Sequence, residues 1–484
     1  MFRTFIPVRF YSTPLRIRMK PLITVLGATG TGKSKLAVDL AVRFDGEIIN
    51  GDAMQMYKGL PITTNQIPVE ERDGIPHHLI ACIDIDQEPW RVSQFQKRCL
   101  ELIEEIRSRG KLPILVGGTH YYTQSVLFHE QLVDRRKDED EITNQEFDEI
   151  AEGEKWPILH ASAEEMLQKL REVDPVMAAR WHPNERRKIR RSLQIYLHTG
   201  KPASEIYKQQ KMRLKSLLAS TNAQQHRASG DVCEDGETGH LRFPTLLFWV
   251  HSDRDILHQR LDDRVDAMID QGLLSEAKHM FNYLKEKESE GVHIDRTRGV
   301  WVSIGFKELD PYISALSSGQ MSPEELQGLK KERVEFVKSA TRQYSRSQIK
   351  WIQGRLWNSL ESANATDRLY ILDSTNVDDW KRAVRLPAEK VAEAFISGNP
   401  RPHPNEISEI ARKVFELKKR EAQSSSDDME IKRKTCDVCN AAAMTERQWE
   451  IHMAGRRHKN AVKAAEKRAQ REEYFKRIRG ASEG

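Results

Sequence analysis

Four short apolar runs recur along the chain: Leu22-Ile23-Thr24-Val25-Leu26, Ile48-Ile49 between Glu47 and Asn50, Leu112-Pro113-Ile114-Leu115-Val116, and Thr245-Leu246-Leu247-Phe248-Trp249-Val250. Runs of this length with so little polar interruption suit strands covered on both faces, as in a parallel sheet. Leu36, Ala37, Leu40 and Ala41 follow the first run at helical spacing, and a helical stretch carrying Arg260 and Arg264 follows the fourth. Strands alternating with helices predict an α/β core. Between the third and fourth runs the pattern changes over residues 130–242. Acids crowd 134–154, Met166, Leu167 and Leu170 mark a helix, and the weakly apolar Ser/Gln/Gly-containing stretch 219–240 reads as a flexible loop. This segment is expected to be a mainly helical insertion. Near 332–351, Lys338, Arg342, Arg346 and Lys350 stand four apart on one helix face, with Val334, Val337 and Tyr344 toward another.

The joints between these elements carry the chemistry. Directly after the first run comes Gly27-Ala28-Thr29-Gly30-Thr31-Gly32-Lys33-Ser34, a G-x-x-x-x-G-K-S loop that opens a helix. Glycines let backbone N–H groups turn in on an anion, the helix N-terminus adds partial positive charge, Lys33 adds a full one, and Ser34 can hold Mg2+. A phosphorylated small molecule is the expected ligand. P-loop nucleotide hydrolases keep an acid after a second buried strand to organise Mg2+. Here the run ending at Val116 passes instead into Gly117-Gly118-Thr119-His120-Tyr121-Tyr122. The acid follows another strand, in Gly51-Asp52-Ala53-Met54-Gln55-Met56-Tyr57, at the carboxyl edge where α/β sheets bind ligands. Asp52 is thus a metal ligand, a general base, or a cap on the following turn.

These segments, with Arg260-Leu261-Asp262-Asp263-Arg264-Val265 and Thr341-Arg342-Gln343-Tyr344, resemble the tRNA dimethylallyltransferases, or tRNA isopentenyltransferases, over most of residues 20 to 360. The resemblance implies a cradle, Gly27 to Ser34, that holds the diphosphate of dimethylallyl diphosphate, with Arg264 closing on it and Mg2+ on Ser34. Read without the resemblance, Arg264 could equally pair with Asp262. It implies Lys33, Thr119 and Asp52 as catalytic residues, Asp52 taking the proton from N6 of an adenine next to the tRNA anticodon. It assigns tRNA contacts to Asp52, Ala53, Met54, Gln55 and Thr119 and to Arg187, Lys188, Ile189, Arg190 and Arg191. Taken alone, that basic run could be a solvated helix face. Ala53 stands where the family usually has serine. His77-His78 has no metal spacing and reads as a turn or core pair.

A second signal lies near the C-terminus: Cys436-x2-Cys439-x12-His452-x5-His458, the spacing of a structural two-Cys, two-His Zn2+ site. Trp449 can pack beneath the metal, and Arg456, Arg457, Lys459, Lys463, Lys467, Arg468 and Arg471 extend the module as a basic helix suited to RNA phosphates or to a protein partner. The long His-x5-His gap resembles matrin-like or U1-like fingers, and eukaryotic members of the transferase family carry a similar finger.

Composition sets limits. With 484 residues, 38% of them hydrophobic, the chain is long enough for two or three domains, and no apolar run approaches a bilayer span. A net charge of +5 does not by itself argue for nucleic acid. Five cysteines, two of them closely spaced, suit a zinc site in a reducing compartment better than a disulfide framework. The first twenty residues hold Arg3, Arg9, Arg16, Arg18 and Lys20 and no acid, the composition of a mitochondrial presequence, although Pro7 and Pro14 would interrupt a helix. Initiation at Met19 would give a shorter form, so mitochondrion and cytoplasm are both expected, with the nucleus a further option. The fold expected is a P-loop NTPase-like α/β parallel-sheet core with a mainly helical insertion and a small C-terminal zinc finger. Its expected divisions are a targeting segment 1–19, core 20–129 and 243–400, insertion 130–242, linker 401–434, finger 435–460 and basic helix 461–484. The expected partners are tRNA, through its anticodon stem-loop, and dimethylallyl diphosphate, bound by a monomer with no membrane involved. Two rival readings stay open: a P-loop nucleoside or RNA kinase, and a non-catalytic RNA-binding adaptor.

Overall fold

The computed structural model describes residues 20–128, 155–209, 241–424 and 434–467, apart from 182, 184, 440–441, 444–445 and 457. The expected targeting segment, the acidic stretch up to 154, the loop 219–240 and the basic residues beyond 467 lie outside the described residues. Two compact units divide the chain, one of Met1–Val133 with Val232–Glu416, the other of Asp134–Asp231 with Leu417–Gly484.

In the first unit the four apolar runs become strands β1 (Leu22–Gly27), β2 (Gly46–Asn50), β4 (Leu112–Val116) and β5 (Thr245–His251). Two strands join them that the runs did not foretell. These are β3 (His77–His78), paired with Ile48 and Ile49, and β6 (Leu369–Asp373), paired with β5. The sheet is six-stranded and parallel, in the order β3-β2-β4-β1-β5-β6. Burial on both faces explains the uninterrupted apolar runs. Ile23, Val25, Ile48, Ile114, Leu246 and Phe248 face one core, and Leu22, Leu26, Ile49, Leu115, Leu247 and Trp249 face the other. The His77-His78 pair is an edge strand, its His78 ring 2.7 Å from Glu47, which also takes Arg109.

Helices α1 (Lys33–Phe44), α2 (Val92–Ser108) and α3 (His120–Leu127) flank the sheet within the first part of the unit. In the second unit α4 (Ala163–Val173), α5 (Pro175–Arg180) and α6 (Arg186–Thr199) pack together around Met166, Leu167, Leu170, Ile189 and Leu193. The first unit then continues through α7 (Arg254–Gln271), α8 (Leu273–Ser289), α9 (Phe306–Ser318), α10 (Pro323–Trp351), α11 (Trp357–Ser362) and, after β6, α12 (Leu386–Ile396). Helix α10 starts with a capping box, Ser322 with Glu325 and Pro323 in its first turn, which suits a helix of 29 residues. It lies against α7 through two ion pairs, Arg342 with Asp262 and Lys338 with Asp266. Lys338 and Arg342 of the basic stripe are therefore spent inside the protein, which leaves Arg346 and Lys350 as its exposed members. A last helix α13 (Glu409–Ser424) precedes the finger, built from the two-residue strands β7 (Lys434–Thr435) and β8 (Ala442–Ala443) and helix α14 (Glu446–Ala454).

Candidate active site

The carboxyl ends of β1, β2 and β4 and the last turns of α10 bring the sequence motifs of the first unit together. The loop after β1 turns into α1 at Gly32, whose φ of 90° lies in the left-handed region that favours glycine. A Cβ there would also meet the Trp380 ring at 2.6 Å, so the indole seals the cradle from beneath. Trp380 is itself fixed by a hydrogen bond from Nε1 to Asp39 on α1. Lys33 donates to the Ala28 carbonyl at 2.8 Å, which folds its ammonium back over the loop. Burial lowers its pKa to about 8, against the attraction of Asp52 and with the repulsion of Arg264. Ser34 sits half-buried one residue on, in the first turn of α1.

Arg264 resolves its two readings. It does not pair with Asp262, which Arg342 occupies from α10. Its Nη1 donates instead to Thr29 Oγ1 at 3.0 Å, so the guanidinium reaches the phosphate loop. Desolvation lowers its pKa to about 10, and its Nε is buried with no protein partner. A second cation thus stands at the cradle with hydrogen-bonding capacity to spare.

Asp52 follows β2. Its Oδ1 accepts from Met54 N–H at 3.1 Å, so it does cap the short turn Met54–Met56, as one sequence reading allowed. That contact leaves the carboxylate available. Burial raises its pKa, opposed by the nearby Lys33 ammonium and by backbone N–H groups of Met54, Gln55 and Gly118. A carboxylate so balanced can hold a proton taken from a ligand. Thr119 Oγ1 accepts from Ala53 N–H at 3.1 Å, locking the residue after Asp52 to the loop after β4. Ala53 packs its methyl against the core, and Gln55 gives one side-chain N–H to the Asn65 carbonyl at 2.9 Å.

Three side chains to which the motifs assigned no role complete the arrangement. Gln348, on α10, accepts from Thr29 N–H at 2.8 Å and donates to Gly118 O at 2.9 Å. Tyr344, one turn earlier, brings its phenol near Asp52, and desolvation with the Asp52 charge raises its pKa. His120 is buried and stacked on Trp351 at 5.3 Å, with neither ring nitrogen bonded to protein. Burial, with Lys33 nearby, lowers its pKa to about 3, so it is neutral at working pH. The available signal was the stripe Thr341, Ser345, Gln348, uncharged polar residues at helical spacing within a charged helix, all three buried.

The second unit holds the other predicted residues. Arg187, Lys188, Ile189, Arg190 and Arg191 open α6. Lys188 pairs with Glu185 and lies over the Trp181 ring, while Arg191 is exposed. The side chain of Ile189 is fully buried and packs the helix. In the finger, one ligand atom from each of Cys436, Cys439, His452 and His458 lies within 4.8 Å of the others. Cys436 Sγ to His458 Nδ1 and Cys439 Sγ to His452 Nε2 are both 3.4 Å, near the edge of about 3.5 Å that tetrahedral Zn2+ with sulfur and nitrogen ligands requires. The four fit that ion. Trp449 leans on His452 at 5.7 Å.

Comparison with known proteins places the chain. The IPP transferase family model matches residues 55–355. A tRNA dimethylallyltransferase of Schizosaccharomyces pombe is 36% identical over 95% of this chain and 99% of its own length. The Homo sapiens protein of that name is 32% identical over 92% of this chain and 86% of its own. A crystal structure of a eukaryotic dimethylallyltransferase acting on tRNA superposes with a TM-score of 0.69 at 32% identity, covering 94% of this chain and 99% of that one. With the phosphate loop, Asp52 and Thr119 gathered at one sheet edge and relatives matched nearly end to end, the chain belongs to the IPP transferase family.

Proposed function

We propose that the protein transfers a dimethylallyl group from dimethylallyl diphosphate to N6 of the adenine immediately 3′ of the anticodon in tRNA, giving N6-dimethylallyladenosine. One observation carries the reading: a recessed carboxylate, Asp52, faces a phosphate cradle that holds two cations, Lys33 and Arg264, with no acid after β4. A kinase must organise Mg2+ for transfer of a γ-phosphoryl group. This site is instead equipped to receive negative charge at one end and a proton at the other.

The chemistry follows from that polarity. As the allylic C–O bond breaks, its electron pair passes to the diphosphate, and the Lys33 ammonium, the Arg264 guanidinium and the loop's N–H groups stabilise the departing anion. The N6 lone pair forms the new C–N bond. Its surplus proton goes to the Asp52 carboxylate, a general-base step worth typically about 10²- to 10⁴-fold. Ser34 would hold Mg2+, since a single hydroxyl suits an ion that keeps its waters and takes diphosphate oxygens, and the ion would add further charge stabilisation there. The adenine must leave its stack to reach the site, at a cost of a few kcal/mol, approximately, which contacts to the surrounding RNA offset. Met54, Gln55 and Thr119 serve the base, while Arg187, Lys188, Arg190, Arg191 and the zinc finger's basic helix serve phosphates. The same enzyme, acting as a monomer, would serve mitochondria from Met1 and the cytosol from Met19. Two protein lengths in separated fractions support that, and one length in one fraction refutes it.

The test is to incubate the protein with Mg2+, an unmodified anticodon stem-loop and either dimethylallyl diphosphate or ATP, then weigh the nucleosides of the digested RNA. Prenylated adenosine formed only from the allylic donor is the expected outcome. Phosphate transfer from ATP without any prenyl adduct would return the site to the kinase reading.

A further inference from the structure

The groups that act on the two ends of the reaction sit on different loops. The cradle follows β1, whereas Asp52 follows β2 and Thr119, which accepts from Ala53 N–H, follows β4. Displacement at the allylic carbon requires the leaving oxygen, the carbon and N6 to line up within a few tenths of an ångström, so the spacing between these loops matters as much as either loop alone. Gln348 spans it. Its side-chain amide accepts from Thr29 N–H in the cradle and donates to Gly118 O, one residue before Thr119. The orientation of the amide is fixed, because one neighbour is only a donor and the other only an acceptor.

The brace is built in. Gln348 is 4% exposed, and Gly118 leaves it room: a Cβ at that position would lie 2.5 Å from Gln348 Nε2 and 3.0 Å from Asp52 Oδ2. Thr29 is held from its other side by Arg264, at 3.0 Å. Thr119, the residue after Gly118, holds Ala53 N–H beside Asp52. Hydrogen bonds therefore run from Arg264 through Thr29 and Gln348 to Gly118, and from its chain neighbour Thr119 to the residue next to Asp52.

We infer that Gln348 is a positioning residue that sets the distance between the leaving-group cradle and the base. Both polar atoms of its side chain are engaged by the protein's own backbone, so its loss should leave binding alone and slow the chemical step. This rests on the prenyl-transfer reading above.

The experiment compares kcat and both KM values of the wild type, Gln348→Met and Gln348→Glu in the full-length protein. Gln348→Met keeps the length and removes both hydrogen bonds. It should lower kcat by about 100-fold, while the KM values for tRNA and dimethylallyl diphosphate stay within about threefold. Gln348→Glu offers a pH-dependent rescue. When protonated it can still accept from Thr29 N–H and donate to Gly118 O; when ionised it sets two acceptors against that carbonyl. Its kcat relative to wild type should rise as pH falls, while that of Gln348→Met should not. Should Gln348→Met fail to fold, the pH ratio of Gln348→Glu decides by itself. A kcat for Gln348→Met within threefold of wild type, a loss that appears wholly in KM, or a flat pH ratio for Gln348→Glu would overturn the inference. Wild-type protein that makes no prenylated adenosine in the same assay would instead overturn the reading it rests on.

Discussion

At the scale of residues, the site works through two groups whose protonation is displaced in opposite senses. Burial holds Lys33 down to about 8, so its positive charge is complete below that pH and is lost above it. Burial raises Asp52, so the base form required to accept a proton is lost as pH falls through a value above the ordinary carboxylate range. The profile of kcat/KM for dimethylallyl diphosphate, which reports the free enzyme, should therefore be a bell with its alkaline limb near pH 8. In kcat the alkaline limb should move upward, because bound diphosphate favours the ammonium form. A kcat/KM that stays flat to high pH would show that the Lys33 charge is not needed. The cradle, Asp52 and Thr119 were legible in the sequence because each stands in a contiguous motif beside a strand. Gln348 was not, since its partner Thr29 is 319 positions away and no local pattern encodes such a contact. The choice for Arg264 between Asp262 and the cradle was settled by α10, whose Arg342 occupies Asp262.

Among elements, the parallel sheet was readable where both faces are buried and less so at its edges. The edge strand β3 is only two histidines long, with no apolar run to announce it. Strand β6 follows many helical residues and is only five residues long. Its importance lies in what comes after it, the turn that carries Trp380 back beneath the start of α1. Trp380→Ala would remove a side chain that is 8% exposed, together with its bond to Asp39. Truncation of a large aromatic of this kind costs about 3 to 5 kcal/mol. A clear fall in melting temperature is expected, with weaker binding of inorganic diphosphate because Gly32 and the first turn of α1 lose their support. Unchanged diphosphate affinity in a destabilised variant would separate the indole from the cradle.

For the molecule as a whole, the finger and the catalytic unit answer to different forces. The sheet buries a large apolar core on both faces, whereas the described residues of the finger include two-residue strands and the short helix α14. So small a module needs its ion, which contributes roughly 10 to 16 kcal/mol in isolated fingers. The imidazole and backbone N–H groups around Cys436 hold its thiol below the ordinary thiol range, which readies a thiolate for the metal. Cys439→Ser should release zinc and raise the KM for tRNA, while inorganic diphosphate binding and the melting of the sheet unit stay as they were. If zinc loss also abolished diphosphate binding, the finger would be supporting the catalytic unit itself.

In the proposed reaction Asp52 takes the proton while the cradle holds the leaving group. Its most direct test is the turnover of Asp52→Asn with tRNA and dimethylallyl diphosphate both saturating, measured alongside inorganic diphosphate binding to the same protein. With Asp52 as the base, kcat should fall by about 10²- to 10⁴-fold with diphosphate affinity retained. A variant that turns over within threefold of wild type would contradict it, because the proton of N6 would then have another destination.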